Sequence, residues 1–499
     1  MRKSTLLLLS FVGIISLLLM INCFNTTSVI FFIISWGVLI LAVYESTQTK
    51  HTLKRNFPLL ANLRWFFEAQ RDIIGQYFIE SDTSGKPFNK QQRSIVYQRS
   101  KNQLETVPFG TMYDVYERGH QFAKHTMFPK DFELKRINVG SKHCKAKYDS
   151  SLVNVSAMSY GSLSGAAVRA LNKGAKEGNF AQNTGEGGIS PHHLQGGDII
   201  FQIGTGYFGA GRTENGVRKF DTNSFVKNAT RKEVKMIEIK LSQGAKPGHG
   251  GILPAKKNTE EISKIRGVDP HTTVHSPAHH SAFSNFEEMV EFIQKVRDLS
   301  NGKPVGVKFC VTSHYEIKEM IRTFKELDNY PDFITIDGSE GGTGSAPLEY
   351  TNNMGTPLLD GLSIVRKQLD MNLNLKKEIK VFASGKIIDT FDILKVLSLG
   401  ADGVNIARGF MLSLGCIQAR ECNKDTCPVG IATQNKGLER GLVVEEKYKR
   451  VFNYHRNTLD KFKEVAGSIG VSNIEDITPD LICERTIDSK LITFNELYG

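Results

Sequence analysis

Cysteine is scarce in this chain. There are seven among 499 residues, and Cys23, Cys144, Cys310 and Cys483 are scattered singly. That excludes a disulfide scaffold and fits a reducing compartment. Zinc-finger spacing, an RNA-binding signature and a lysine-rich tract are missing, so the formal charge of +11 does not point to nucleic acid as a partner. Internal repeats and low-complexity tracts are absent. No GxGxxG turn follows the first strand candidate, which counts against a doubly wound open sheet. Charge itself is missing from two long stretches, "TLLLLSFVGIISLLLMI" (5–21) and "SVIFFIISWGVLILAVY" (28–44).

Each stretch is close to the ~17–25 residues that span hydrocarbon, and only "NCFNTT" separates them. Arg2 and Lys3 precede the pair; Lys50, His51, Lys54 and Arg55 follow it. The positive-inside rule then predicts a hairpin with both ends in the cytoplasm. No small-residue cleavage pattern supports a signal peptide instead. The expectation is a membrane protein with two transmembrane helices within residues 1–49 and its catalytic body on the cytoplasmic side. Residues 50–147 are polar and aromatic and are expected to form an α-rich lead-in.

From Leu152 the rhythm changes. Short β-branched runs end in Gly, Ser or Asn and alternate with helical patterns. Eight strand candidates fall at 152–159, 179–188, 236–245, a weak one at 272–276, then 304–310, 332–342, 379–386 and 402–409. Strand–helix alternation on this scale predicts an α/β fold, a (β/α)8 TIM barrel over 148–435, larger than the typical ~250 residues because of insertions. A helical extension is expected over 436–499.

In such a barrel the site lies at the C-terminal strand ends. "ASGK" and "ARG" end the seventh and eighth strands, where the backbone of Gly385 and Gly409, with Lys386 or Arg408, suits a phosphoryl group. "DGSEGGTGSAP" lets backbone at Gly341, Gly342 and Gly344 approach a flat or anionic ligand, with hydroxyls from Thr343 and Ser345. Lys308 lies mid-strand in "VGVKFC" and needs a negative partner. Either a reduced flavin or a neighbouring barrel carboxylate would serve. "KLSQGAKPGHGG" offers Lys240, Gln243 and Lys246 to the carboxylates of a small dicarboxylic acid, and His279 and His280 follow as general acids or simple loop histidines.

The remaining three cysteines crowd into "GCIQARECNKDTCPVG" as Cys416, Cys422 and Cys427. Pairing would leave one over, and structural zinc would want a fourth ligand that no nearby histidine provides. On spacing alone two readings stay open: thiolates holding an iron–sulfur cluster, or a chance group of small buried cysteines.

Taken in order, "SAMSYGSLSG", "NTGEGG", "QGAKPGHGG", "SPAHHS", "GSEGGTGSAP" and "GCIQARECNKDTCPVGIATQ" resemble the FMN-binding synthase domain of glutamate synthases, specifically its stand-alone members. The resemblance implies FMN and a [3Fe–4S] cluster held by Cys416, Cys422 and Cys427. Ala157, Met158 and Ser159 would line the flavin. Lys308 would face its polar edge, and Gly341, Gly342, Thr343, Gly385, Arg408 and Gly409 would hold its ring or phosphate. Gln243 and Lys246 would bind substrate carboxylate with Glu186 close by, so that Lys308, Glu186, Gln243 and Lys246 form the catalytic set. The implied reaction is reductive amination of 2-oxoglutarate, or a related 2-oxo acid, by external ammonia, with electrons from a ferredoxin-like protein or reductase.

The chain departs from the large enzymes in several places. A membrane hairpin stands where they carry a glutaminase domain, so glutamine hydrolysis is not expected, and the C-terminal β-solenoid is missing. His249 replaces a glutamate, and Ile189 and Ser190 follow "GEGG" in place of acidic residues. The alternative expectation is an FMN dehydrogenase of an amino or hydroxy acid passing electrons to a membrane acceptor.

Overall fold

The computed structural model describes residues 2–214 and 216–499, and the chain divides into two units between Lys86 and Pro87. In the first unit the apolar stretches form helices Arg2–Asn22 and Thr26–Thr47. Asn25 turns the chain between them, because its side chain caps the second helix by accepting from the Ser28 amide at 2.9 Å. The helices pack as a pair. Ser35 donates to Ser16 at 2.6 Å, and the Trp36 indole donates to the Gly13 carbonyl at 3.2 Å. Both are long and apolar enough to cross a membrane. A short helix Thr52–Asn56, a helix Ala61–Ile74 and a π-helical turn Gly75–Ile79 complete this unit.

The second unit is built on a closed barrel of eight parallel strands. In chain order these are Val153–Val155, Ala181–Asn183, Asp198–Ile203, Val234–Lys240, Val305–Phe309, Phe333–Asp337, Lys380–Ser384 and Gly403–Ile406. Their residues are almost all buried, as expected of strands covered by helices outside and packed side chains inside. The third strand, "DIIFQI", was not among the sequence candidates. The weak candidate at 272–276 is not a barrel strand: only Val274–His275 is extended, pairing antiparallel with Ile252–Leu253 in a ribbon. The two errors cancel in number, so the strand ends read as seventh and eighth are indeed those.

Register fixes the site's geometry. Lys308 lies opposite Lys240 on one side and Thr335 on the other, and Asp337 lies opposite Ser384. Outside the barrel, helix Val444–Ser468 packs on helix Gly165–Gly178, where Gly174 leaves the room that Val451 fills. Within the second unit, a helix Lys90–Ser100 precedes the barrel. Beyond it, Gln121–Ala123 pairs with Ile482–Arg485 and Ile137–Val139 with Tyr148–Ser150.

Candidate functional site

At the barrel mouth the fourth, fifth and sixth strands carry charged residues at or next to their ends, Lys240, Lys308 and Asp337. The buried Lys308 ammonium stands 3.6 Å from Asp337 Oδ1, so the lysine that needed a negative partner has a barrel carboxylate. Asp337 Oδ2 in turn accepts from the Gly244 amide at 2.8 Å, which ties down the loop carrying Gln243 and Lys246. Lys240 lies 3.1 Å from Glu186 Oε2 and donates to Gln243 Oε1 at 2.8 Å. Two glycines make room for Glu186: a Cβ on Gly204 or Gly251 would stand 2.6 or 2.5 Å from its carboxylate oxygens. Burial works to raise the Glu186 carboxyl, but Lys240, with Arg266 and Lys246 behind it, outweighs burial and holds it below the usual carboxylate range.

Two donors in this cluster have no protein partner. Gln243 Nε2 is buried without a hydrogen bond, and the ammonium of Lys246, a residue 3% exposed, makes no hydrogen bond or ion pair among the described residues. Burial and the neighbouring Lys240 both depress the Lys246 ammonium, with Glu186 opposing them. A buried ammonium beside an unpaired amide is costly alone and suits an anionic oxygen. His280 closes the back of the cluster: its Nε2 donates to the Lys240 carbonyl at 2.9 Å and its Nδ1 accepts from the Tyr207 hydroxyl at 2.9 Å. Burial pushes its pKa down to about 4 against the opposing pull of the hydrogen bond to the Lys240 carbonyl, so it is a neutral clamp.

Across the mouth lie the first, sixth, seventh and eighth strand ends. Ser156 and Ser384 hydroxyls are 3.2 Å apart, and Ala157, Met158 and Ser159 follow, half-buried. Gly385, at φ +142°, is pressed against the Gly338 backbone, where a Cβ would stand 3.1 Å from the Gly338 nitrogen. Arg408 donates to the Glu340 carbonyl at 2.9 Å and backs Gly342, where a Cβ would meet its guanidinium at 3.0 Å. Burial lowers Arg408 to about 10 against the pull of Asp337 and Glu340. Gly341 donates its amide to Gly338, and Thr343 is exposed beyond it. Gly409 is buried at the start of helix Arg408–Leu414, and the Tyr454 hydroxyl fills the space a side chain would need.

That helix ends at Gly415 in the left-handed region and delivers the cysteine loop. Burial raises Cys416 to about 12, and Cys422 and Cys427 push the same way; burial and Cys427 raise Cys422 while Lys257 opposes them. Lys257 holds the loop by donating to the carbonyls of Cys422 at 2.8 Å and Ala432 at 2.9 Å. Among the described residues no group of three or more His, Cys, Asp or Glu is placed to hold a single metal ion.

Sequence reasoning singled out Glu186, Gln243, Lys246 and Lys308, and the structure brings them to one mouth. It missed Asp337, Arg266, Lys257 and Phe88. The Phe88 ring lies under Arg408 at 4.7 Å while its backbone exchanges two 3.1 Å hydrogen bonds with the Gln418 side chain inside the cysteine loop. "TIDG" at a strand end could have revealed Asp337; Phe88 left no signal, lying in a segment without visible chemistry.

A closed (β/α)8 barrel whose mouth holds unpaired donors for an anion defines an α/β-barrel protein with a small-molecule site. The family model described as "conserved region in glutamate synthase" matches residues 92–472. A glutamate synthase large subunit-like protein, YerD, of Bacillus subtilis is 35% identical, over 91% of this chain and 94% of its own. The archaeal glutamate synthase [NADPH] of Methanocaldococcus jannaschii is 32% identical, over 70% of this chain and 67% of its own. The chain belongs to the glutamate synthase family. Among solved structures, a flavocytochrome b2 variant with sulfite bound overlays at a TM-score of 0.44 with 14% identity, covering 89% of this chain and 90% of that one.

Proposed function

We propose that this chain is a membrane-anchored flavin and iron–sulfur oxidoreductase that aminates 2-oxoglutarate, or a related 2-oxo acid, with external ammonia. The observation that carries the reading is the pair of unsatisfied donors, Gln243 Nε2 and Lys246, held beside the Glu186–Lys240 ion pair in a glutamate synthase family barrel. The residues fit FMN: the Gly338–Gly385 cradle keeps side chains out of one edge, and Arg408 and Lys308 supply positive charge beside it. Ala157, Met158, Ser159, Gly341, Gly342, Thr343 and Gly409 complete the surface that would hold it. Cys416, Cys422 and Cys427, gathered in one loop that Lys257 holds through the Cys422 and Ala432 carbonyls, offer the three thiolates that such a cluster would take.

When bound, FMN supplies a hydride and the cluster relays single electrons. The chain's own residues do the rest. Lys246 and Gln243 bind the substrate carboxylate and fix its orientation. Lys240 holds Glu186 ionised, ready to accept a proton from an incoming ammonium ion. His280 and Asp337 keep Lys240 and the Gln243 loop in place. The balance is one 2-oxo acid, one ammonium ion, two electrons and two protons giving one amino acid and one water.

The test is anaerobic reoxidation of the reduced flavin by 2-oxoglutarate plus ammonium, compared with 2-oxoglutarate alone. Acceleration requiring both supports amination. Reduction of oxidised flavin by a hydroxy acid or amine, with no response to the pair, replaces this reading with a dehydrogenase serving a membrane acceptor.

A further inference from the structure

The helix that follows the hairpin has an apolar face that nothing within its own unit covers. Along Ala61–Ile74 and the π-helical turn after it, Leu63, Phe66, Phe67, Ile73, Ile74, Tyr77 and Phe78 recur at three- and four-residue spacing and share one side. Phe67 is 58% exposed, Tyr77 63% and Phe78 81%. Bulky aromatics in water over such a length are unusual on a soluble surface and mark a place of contact. Gln70 interrupts that side, Arg64 and Arg71 flank it, Glu68 and Asp72 lie opposite, and between Lys50 and Ile74 five basic residues stand against two acidic ones.

The helix is also fixed to the end of the hairpin. Glu45, in the last turn of helix Thr26–Thr47 and only 2% exposed, accepts from the Leu59 amide at 2.7 Å and from Asn62 Nδ2 at 2.8 Å, with Lys54 at 3.4 Å. Gln48 ties the intervening turn by donating to the His51 carbonyl at 2.8 Å and accepting the His51 amide at 2.8 Å. Trp65, on the face away from Phe67, sits against Lys54 at 5.2 Å and the His51 ring at 5.7 Å. The aromatic face therefore starts at the same level as the end of the apolar span.

We infer that residues 61–79 lie in the headgroup–acyl boundary of the cytoplasmic leaflet, with the Phe66/Phe67/Tyr77/Phe78 face in lipid and the basic residues toward anionic headgroups. This rests on the reading of the hairpin as membrane-spanning. The occupant is lipid rather than protein because the face continues from an apolar span, combines aromatic and basic residues, and has the composition of helices whose apolar side sinks ~5–10 Å into that boundary. It would give the enzyme a second attachment that orients the hairpin's cytoplasmic end.

The only tryptophans are Trp36, in the hairpin, and Trp65, behind the helix, so the chain can be made to report each place separately. The full chain, with its cofactors, is placed in phosphatidylcholine/phosphatidylglycerol nanodiscs with and without acyl-brominated lipid. Trp65→Phe leaves Trp36 as reporter of the hairpin. Trp36→Phe leaves Trp65 as reporter of the back face. The triple variant Trp36→Phe, Trp65→Phe, Phe67→Trp reports the apolar face. The expected result is at least about twofold quenching by brominated lipid for the hairpin and apolar-face reporters, weaker quenching for Trp65, and access by aqueous iodide for Trp65 alone. Iodide access at the apolar-face reporter while Trp36 is still quenched by lipid overturns the inference and leaves the hairpin reading standing. Protection of that reporter from both quenchers also overturns it, in favour of a protein partner. Absence of lipid quenching at Trp36 removes the membrane reading itself and this inference with it.

Discussion

The barrel holds two carboxylates that differ in what surrounds them. Glu238, fully buried within the fourth strand, accepts from Asn183 Nδ2, Gln202 Nε2 and Thr335 Oγ1, each at 2.7 Å. Its donors are neutral, come from three other strands and leave nothing over for a ligand. Glu186, at the mouth, is ringed by Lys240, Lys246 and Arg266, and beside it Gln243 Nε2 has no partner. A polar cluster that is satisfied internally holds strands in register; one that leaves donors unpaired is incomplete without what it binds.

The sharpest way to break this distinction is to remove each acid or its neighbours and compare stability with binding. Glu238→Ala strands three buried donors at about 1–3 kcal/mol each, so a loss of at least about 3 kcal/mol is expected in urea unfolding of the full chain. A loss below about 1 kcal/mol would show that Glu238 is not the barrel's organising acceptor.

Acid is the second probe. His280 is held neutral with its pKa near 4, and His193 and His455 near 3, by burial. The unfolded chain takes up these protons near the ordinary histidine value of about 6.5 and the folded chain does not. Stability is therefore unaffected above about 6.5 and falls as pH drops, down to about 4 for His280 and about 3 for the other two. Urea midpoints measured across that window should fall with a slope that His280→Gln reduces. An unchanged slope in that variant would mean that His280 is charged in the fold and that its clamp on the Lys240 carbonyl has been misassigned.

Part of the mouth cluster was visible in the sequence before the fold was known, but its contrast with Glu238 was not. Gln243 and Lys246 sit in a glycine-bounded run at a strand end and Lys308 inside an apolar strand, where the type of residue and its position point the same way, whereas Glu186 came from the family resemblance alone. "DIIFQI" was lost because a strand buried on both faces shows no alternation, and the paired strands Gly211–Glu214 and Val217–Phe220 interrupt the strand–helix rhythm after it. "TTVHS" misled for the opposite reason: its β-branched residues favour extension, but only two pair with anything. Arg266, at the end of a helix outside the barrel, and Phe88, more than three hundred residues from Gln418, become part of the site only through folding. No local pattern encodes such meetings.

The mouth cluster should respond in the reverse sense to Glu238. Lys246→Met removes a buried ammonium with no protein partner, so stability should hold or rise. A charged hydrogen bond of about 1.5–3 kcal/mol is lost to the ligand, which weakens 2-oxoglutarate binding ~10–150-fold in a titration that follows flavin absorbance. Unchanged affinity would place the carboxylate elsewhere in the mouth.

Gln243→Met is the finest cut, because it removes one neutral donor and keeps the side chain's length. The lost amide bond is expected to cost about 0.5–1.5 kcal/mol of binding, a ~2–10-fold rise in the dissociation constant for 2-oxoglutarate. Folding stability should change little, since losing the 2.8 Å bond from Lys240 is offset by removing the orphaned Nε2. In a double-mutant cycle with Lys246→Met, the two effects should fall short of adding if both groups grip one carboxylate. Full additivity would mean that Gln243 and Lys246 serve different ends of the ligand, with the amide unpaired until the second carboxylate arrives.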